Sequence, residues 1–284
     1  MINPSQEVVT VALLERRMGM SDALFTAYWR DVHGVLAARI PGFWSYVQNH
    51  LEPCFPAAAD GELQVDGLAE VRYLNEADRQ GLATGEVTPM ILRDEPNVFS
   101  RSLLYNLAAG ASRTLLETDR PAQQRPEASY VLLLQSPAGS ATETVEAEIA
   151  ASWAPAFLAS KGIDSLRVHA LASGDPSQWN TASGVDNTLK GKQNSVVVQA
   201  SWESNAAAAD AIEALRAMTS SALSSVLVYR VRERYEMVAN GRPTQLGLRG
   251  LSALQTIEQA GADNQKQADV IRCVYGESGL GSQA

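Results

Sequence analysis

The stretch Phe25–His50, FTAYWRDVHGVLAARIPGFWSYVQNH, sets how the rest of the chain is read. Phe25, Tyr28, Trp29, Val32, Leu36 and Ile40 recur at helical spacing and form an apolar stripe that must be covered. Just before it, the Ser21 hydroxyl can accept from an orphan amide and Asp22 favours the positive end of the helix dipole, so a helix is expected from Ser21. Pro41-Gly42 stops it. Phe43–Leu51 then alternates with a period of two, which predicts a strand. Phe43, Ser45, Val47, Asn49 and Leu51 share one face, and Trp44, Tyr46, Gln48 and His50 share the other. The first face is expected to pack under helices and the second to form a polar-aromatic wall.

Working outward, Val8–Arg16 (VVTVALLER) is β-branched and apolar and predicts a buried strand before that helix. Gly67–Leu74 predicts a third strand, Asn75 to about Asp94 an interrupted helix, and Ser102–Leu116 a fourth strand. The order is β-α-β-β-α-β. Asp119–Ala128 is polar with two prolines and reads as a linker. The same rhythm follows: strand Tyr130–Gln135, helix Thr144–Ser160, strand Ser165–Leu171, loop Gly174–Gln193, strand Ser195–Trp202, helix Asn205–Met218 and strand Val226–Met237. GFWSYVQNHL at 42–51 echoes GIDSLRVHAL at 162–171, and Trp29 and Trp153 fall in equivalent helices. An internal duplication explains this economically.

The unit is the ferredoxin-like split motif, whose sheet has a bare face. Two such units in tandem, residues 1–118 and 129–240, can pack sheet to sheet as an α+β barrel within one chain. Residues 241–284 form a tail with one helix, LSALQTIEQA.

The chain has 284 residues, of which 45% are hydrophobic and 19% charged, enough apolar material for a sizeable core. Its net charge of −9 disfavours nucleic acid or anionic membrane as a partner. The two cysteines, Cys54 and Cys273, have no metal or redox spacing and are expected to be buried free thiols. There is no basic leader and no apolar run long enough for a membrane span, so a soluble cytoplasmic protein is expected.

The pattern Phe25-x-x-Tyr28-Trp29-x-x-x-His33-Gly34, followed by Pro41-Gly42-x-x-x-Tyr46-x-x-x-His50, resembles the EthD family of the dimeric α+β barrel superfamily, over roughly residues 6–75. The second half lacks the motif: Ala154-Pro155-Ala156 follows Trp153, as in a degenerate copy. The resemblance implies a barrel whose relatives include cofactor-independent dehydratases, cyclases, decarboxylases and isomerases of aromatic or polyketide-like compounds. It also leaves open a haem-binding peroxidase-like barrel, a cofactor-free monooxygenase and a non-catalytic small-molecule-binding accessory protein. A homodimer is a further expectation.

His33 lies one turn after Trp29, at the flank of the buried stripe. It is either a half-buried histidine bonded to a backbone carbonyl or a general acid/base working near its ordinary pKa of about 6.5. Tyr46 and His50 are the other candidate catalytic groups, with Tyr28, Trp29, Trp44, Gln48, Arg72 and Tyr73 around the substrate. Whether His33 and His50 meet stays open. Arg72 can hold an oxyanion, but pairing with Glu70 or Glu15 is the expected role. Arg230, Arg232 and Arg234 alternate along the last strand as a solvated or ion-paired face, and His169 reads as structural. No metal motif is present, and with three histidines a multi-histidine metal site is not expected.

Overall fold

The computed structural model describes residues 8–54, 64–81, 85–118, 128–137, 142–171, 184–187, 193–218 and 222–276. The expected linker Asp119–Ala128, apart from Ala128, and most of the loop Gly174–Gln193 lie outside the described residues. The first half runs β1 (Val8–Arg16), α1 (Asp22–Tyr28), a π turn at Trp29–His33, α2 (Gly34–Ala37), β2 (Ser45–Pro53), β3 (Gly67–Tyr73), α3 (Glu76–Arg79), α4 (Thr88–Val98) and β4 (Phe99–Asn106). A short β5 (Ser112–Glu117) follows. The second half runs β6 (Ala128–Ser136), helices Thr142–Glu148 and Ala154–Ala159 flanking a π turn at Ile149–Trp153, β7 (Ile163–Ala170), β8 (Gln193–Trp202), helix Asn205–Arg216 and β9 (Ser225–Ala239). Ser21 caps α1 as expected, its side chain accepting from the Leu24 amide.

The strands form one ten-stranded sheet in the order β4-β1-β3-β2-β9-β6-β8-β7-β5, with β10 (Arg242–Pro243) on β9. Every ladder is antiparallel. The sheet curls. Val9, Val11 and Leu13 of β1 share one buried cluster with Val131 and Leu133 of β6 and Val197 of β8, although four strands separate β1 from β8 in the sheet. That cluster is the barrel interior. The helices cover the outer face over two further cores. One is built on Phe25, Trp29, Tyr46, Tyr73 and Met237, the other on Ile149, Trp153, Phe157 and Trp202.

The single strand expected at Ser102–Leu116 is two. The chain breaks between Asn106 and Ser112, where Gly110 takes a left-handed turn (φ 79°), and β5 leaves β4 to pair with β7. The thiols also differ from expectation: Cys54 is half-buried and Cys273 exposed. The tail, expected to hold one helix, holds three α-helices among the described residues, Gln245–Arg249, Leu251–Gln259 and Ala268–Tyr275, and is docked on the first-half helix: Asp31 Oδ1 accepts from the Leu251 amide at 2.8 Å, and Arg39 donates to the Leu248 carbonyl at 3.2 Å. No described helix is long and apolar enough to cross a membrane.

Candidate active site

The π turn sets the site. Its widened winding closes on a Gly34 amide that donates to the Trp29 carbonyl, five residues back. This brings Trp29 and His33 onto one inward line, 1% and 6% exposed. Gly34 is required there. A Cβ at that position would stand 2.4 Å from Gln48 Nε2 and 2.7 Å from the Trp29 carbonyl oxygen. Gly67 is equally constrained, since a Cβ would meet the Trp29 ring at 2.5 Å.

His33 is held by a carboxylate from α4, not by a backbone carbonyl. Its Nδ1 lies 3.0 Å from Asp94 Oδ2, while Tyr28 donates its hydroxyl to Asp94 Oδ1 at 2.6 Å and Asn97 donates to the same oxygen at 3.1 Å. Burial pushes the Asp94 carboxyl up, but the bonds from His33, Tyr28 and Asn97 outweigh it and hold the group at about 2. An ionised carboxylate only accepts, so Nδ1 carries a proton, and the tautomer this selects leaves the Nε2 lone pair free to act. Nε2 has no hydrogen-bond partner among the described residues, and Phe99 meets the ring edge-on at 5.1 Å. Asp94 escaped the sequence reading. Its signal was present: Ile91, Asp94 and Val98 follow helical spacing, and the two apolar members are buried, so the aspartate sits in line with a buried stripe.

Tyr46, Gln48 and His50 face the helices, and Val47 and Leu51 face the barrel interior, which inverts the expected assignment of the two faces of β2. Gln48 ties the row together. Its Nε2 donates to the Trp29 carbonyl and to the Tyr46 hydroxyl, both at 3.0 Å, and its Oε1 accepts from His50 Nε2 at 3.3 Å. His50 is fully buried, with its ring 4.4 Å from that of Trp29. Burial, then the Arg232 and Arg30 guanidiniums, push its pKa down to about 3 against the pull of Asp31. At ordinary pH His50 is therefore neutral, packed on Trp29 and hydrogen-bonded to Gln48. Tyr46, also buried, is pushed up to about 12 by burial, so it keeps its proton.

His33 and His50 thus share the helix-facing layer, with Trp29 and Phe99 packed around them, but no direct contact joins them. Of the residues expected around a substrate, Tyr28 binds Asp94, while Trp29 and Tyr73 are core. Trp44 packs beside Gly241 at the end of β2. Arg72 is elsewhere: it faces the barrel interior and pairs with Glu70 at 2.7 Å. There Glu70, Arg167, His169 and Gln199 form a buried polar cluster beside an open cavity of about 670 Å³. His169 is part of this cluster: its Nε2 lies 2.8 Å from Gln199 Nε2 and 3.4 Å from Glu70 Oε2. Among the described residues no three His, Cys, Asp or Glu side chains gather as metal ligands.

Residues 17–102 match the family model described as the EthD domain, a span that holds His33, Tyr46, His50 and Asp94. A curated relative is the HTH-type transcriptional regulator BetI of Escherichia coli O17:K52:H18 (strain UMN026 / ExPEC), 31% identical over 172 residues, covering 57% of this chain and 78% of that protein. Among solved structures, an anthrone oxidase-like protein is 14% identical over 81% of this chain and 93% of its own, with a TM-score of 0.47. The chlorite dismutase of Candidatus Nitrospira defluvii in complex with imidazole is 10% identical over 80% and 91%, with a TM-score of 0.39. Likenesses this distant carry no argument about activity.

Proposed function

Residues 17–102 carry an EthD domain, and from that premise we propose that the chain is a cofactor-independent lyase or isomerase acting on a small aromatic or polyketide-like carbonyl compound. The observation that carries this reading is the Tyr28–Asp94–His33 chain of hydrogen bonds. A carboxylate fixes the imidazole tautomer and stabilises the imidazolium that forms when Nε2 takes a proton. Such a base removes a proton beside a carbonyl and returns it elsewhere on the substrate, which suffices for dehydration or double-bond migration. Proton transfer by a positioned base contributes roughly 10²–10⁴-fold. The site occupies the first of two tandem ferredoxin-like repeats, residues 1–118 and 129–240, the second having lost the histidine. In both halves the strands stand in the order fourth, first, third, second, and both first helices carry a π turn, which supports a duplication.

A haem reading finds less support in the donor groups. His50 Nε2 is taken by Gln48, and His169 Nε2 faces Gln199 and Glu70. Only His33 has the arrangement of an iron ligand, Nδ1 on a carboxylate and Nε2 without a partner among the described residues, and Phe99 packs against that ring.

The test is incorporation of deuterium from solvent into a panel of aryl ketones and enones, followed by mass spectrometry. Wild type is expected to exchange an acidic carbon-bound proton in at least one of them, and His33→Ala to lose that exchange. Exchange that persists in His33→Ala refutes the assignment.

The relation to a protein named as an HTH-type transcriptional regulator favours a second reading, a DNA-binding regulatory role. Against it stand the net charge of −9 and the single ten-stranded antiparallel sheet on which the described residues are organised. A gel-shift titration at low salt separates the two: absence of a shifted band excludes the regulator reading.

A further inference from the structure

One piece of the second half does not stay with it. Residues 184–187 belong to the connection between β7 and β8, strands that lie toward the β5 end of the sheet. They bridge instead to β4, the strand at the opposite edge. The Asp186 amide donates to the Ser100 carbonyl at 2.9 Å, and the Asp186 carbonyl accepts from the Ser102 amide at 3.0 Å. The Arg101 guanidinium adds two bonds to Asp186 Oδ2, at 3.1 and 3.2 Å, while its Nη1 lies 3.2 Å from Glu15. An edge strand offers its free amides and carbonyls to any partner. Here the partner comes from the same chain.

The bridge is parallel, so Asp186 shares a side of β4 with Arg101, and Val185, level with Ser100, takes the other. That side faces the helices: Val185 is 6% exposed and belongs to the core cluster of Phe25, Trp29 and Phe99. Among the described residues between β5 and β9, Val185 alone joins this cluster. What the bridge grips decides its meaning. β4 follows α4 directly, and this junction carries both groups set against the His33 ring, Asp94 on Nδ1 and Phe99 edge-on at 5.1 Å. Ser100 is the next residue after Phe99. On its other side the strand is irregular, its pairing with β1 shifting between Glu15 and Arg16. The second half has no histidine in the matching place: Phe157 stands four residues after Trp153, as His33 does after Trp29.

We propose that Val185 and Asp186 are positioning residues for the His33 site: the second half supplies a strap that fixes the α4–β4 junction, and with it Asp94 and Phe99, against the imidazole. This rests on the reading of His33 as the base. The strap meets no reacting atom and acts through β4. Asp186 pins the strand edge with two backbone bonds and an ion pair, and Val185 fills the layer in which Phe99 packs. Displacing a catalytic group by about 1 Å can cost roughly 10²-fold in rate, so a strap of few bonds has leverage beyond the stability it adds.

The experiment compares wild type with Val185→Ala and with Asp186→Pro, which removes the amide donor and the carboxylate together. Val145→Ala is the control, a valine truncated in the separate second-half core. Long-range ¹H–¹⁵N NMR of the imidazole rings, tractable with three histidines, reports the His33 tautomer and needs no substrate. Solvent-deuterium exchange into the ketone panel reports turnover. Both strap variants are expected to move the His33 ring nitrogens toward the averaged signals of mixed tautomers and to lower kcat about tenfold with KM little changed. Val145→Ala is expected to lower the urea midpoint and to change neither readout. Should Asp186→Pro fail to fold, Val185→Ala decides alone. His33 ring signals that stay as in wild type overturn the proposal and leave the segment as a cover for the sheet edge. If wild type exchanges no ketone, the base assignment fails, and the ring signals still decide whether the strap holds the imidazole.

Discussion

Replacing Asp94 with Asn tests the dyad without knowledge of the substrate. The Asp94 carboxyl titrates at about 2 against an ordinary 3.8. That drop corresponds to at most about 2.4 kcal/mol of native-state stabilisation. With 14% side-chain exposure the carboxylate keeps some solvent contact, and screening brings the figure to about 1–2 kcal/mol. The amide oxygen of asparagine can still accept from Tyr28, so the loss isolates the charge. The sign follows from linkage. The unfolded carboxyl binds a proton below 3.8 while the native one stays ionised to about 2, so the contribution is complete above about pH 5 and fades as pH falls between those values. Urea unfolding of wild type and Asp94→Asn is expected to differ by about 1–2 kcal/mol at pH 7, and by roughly half of that at pH 3. An equal gap at both pH values, or none at pH 7, refutes the claim that an ionised Asp94 holds His33. In the deuterium-exchange assay the same variant, with its imidazole tautomer released, is expected to lose roughly 10²-fold or more.

Gly34→Ala is expected to cost about 2 kcal/mol or more, because the new methyl meets Gln48 Nε2 and the Trp29 carbonyl at 2.4 and 2.7 Å; chemical denaturation checks it, and a cost near zero means the helix can move off β2. Gln48→Leu leaves the Tyr46 hydroxyl and His50 Nε2 without their shared partner and is expected to cost about 2–4 kcal/mol in the same measurement. His50, held at about 3 against an ordinary 6.5, stays neutral in the native state while the unfolded chain protonates. Stability should therefore fall as pH drops from 6.5 toward 3, and His50→Phe should flatten that limb. An unchanged pH dependence in His50→Phe, measured by urea midpoints, contradicts a neutral buried imidazole.

The reach of the sequence is clearest on β2. A period of two separates Tyr46, Gln48 and His50 from Val47, Asn49 and Leu51 without ambiguity, and the structure keeps these sets apart. What alternation lacks is a direction. In a barrel covered by helices both faces of a strand are buried: Gln48 and His50 on one side, Asn49 and Leu51 on the other, are all at most 3% exposed. Polarity therefore gives no clue to which side meets the helices. The deciding contact is tertiary, the Gln48 amide reaching the Trp29 carbonyl, which commits the polar row to the helix layer.

The same limit explains Asp94 and the cavity. Helical spacing places Asp94 beside Ile91 and Val98, but only the packing of α4 on the π turn, 61 residues away in sequence, makes it the partner of His33. The spacing of two between Glu70 and Arg72 puts them on one face, and of the two expected partners, Glu70 and Glu15, Arg72 pairs with Glu70. The rest of that polar cluster needed β7 and β8 to bring Arg167, His169 and Gln199 to the same depth, and that depends on the curl of the sheet. Periodicity within a segment is local physics and survives translation into structure. The joining of charges across a closed barrel is set by topology, and no single strand carries it.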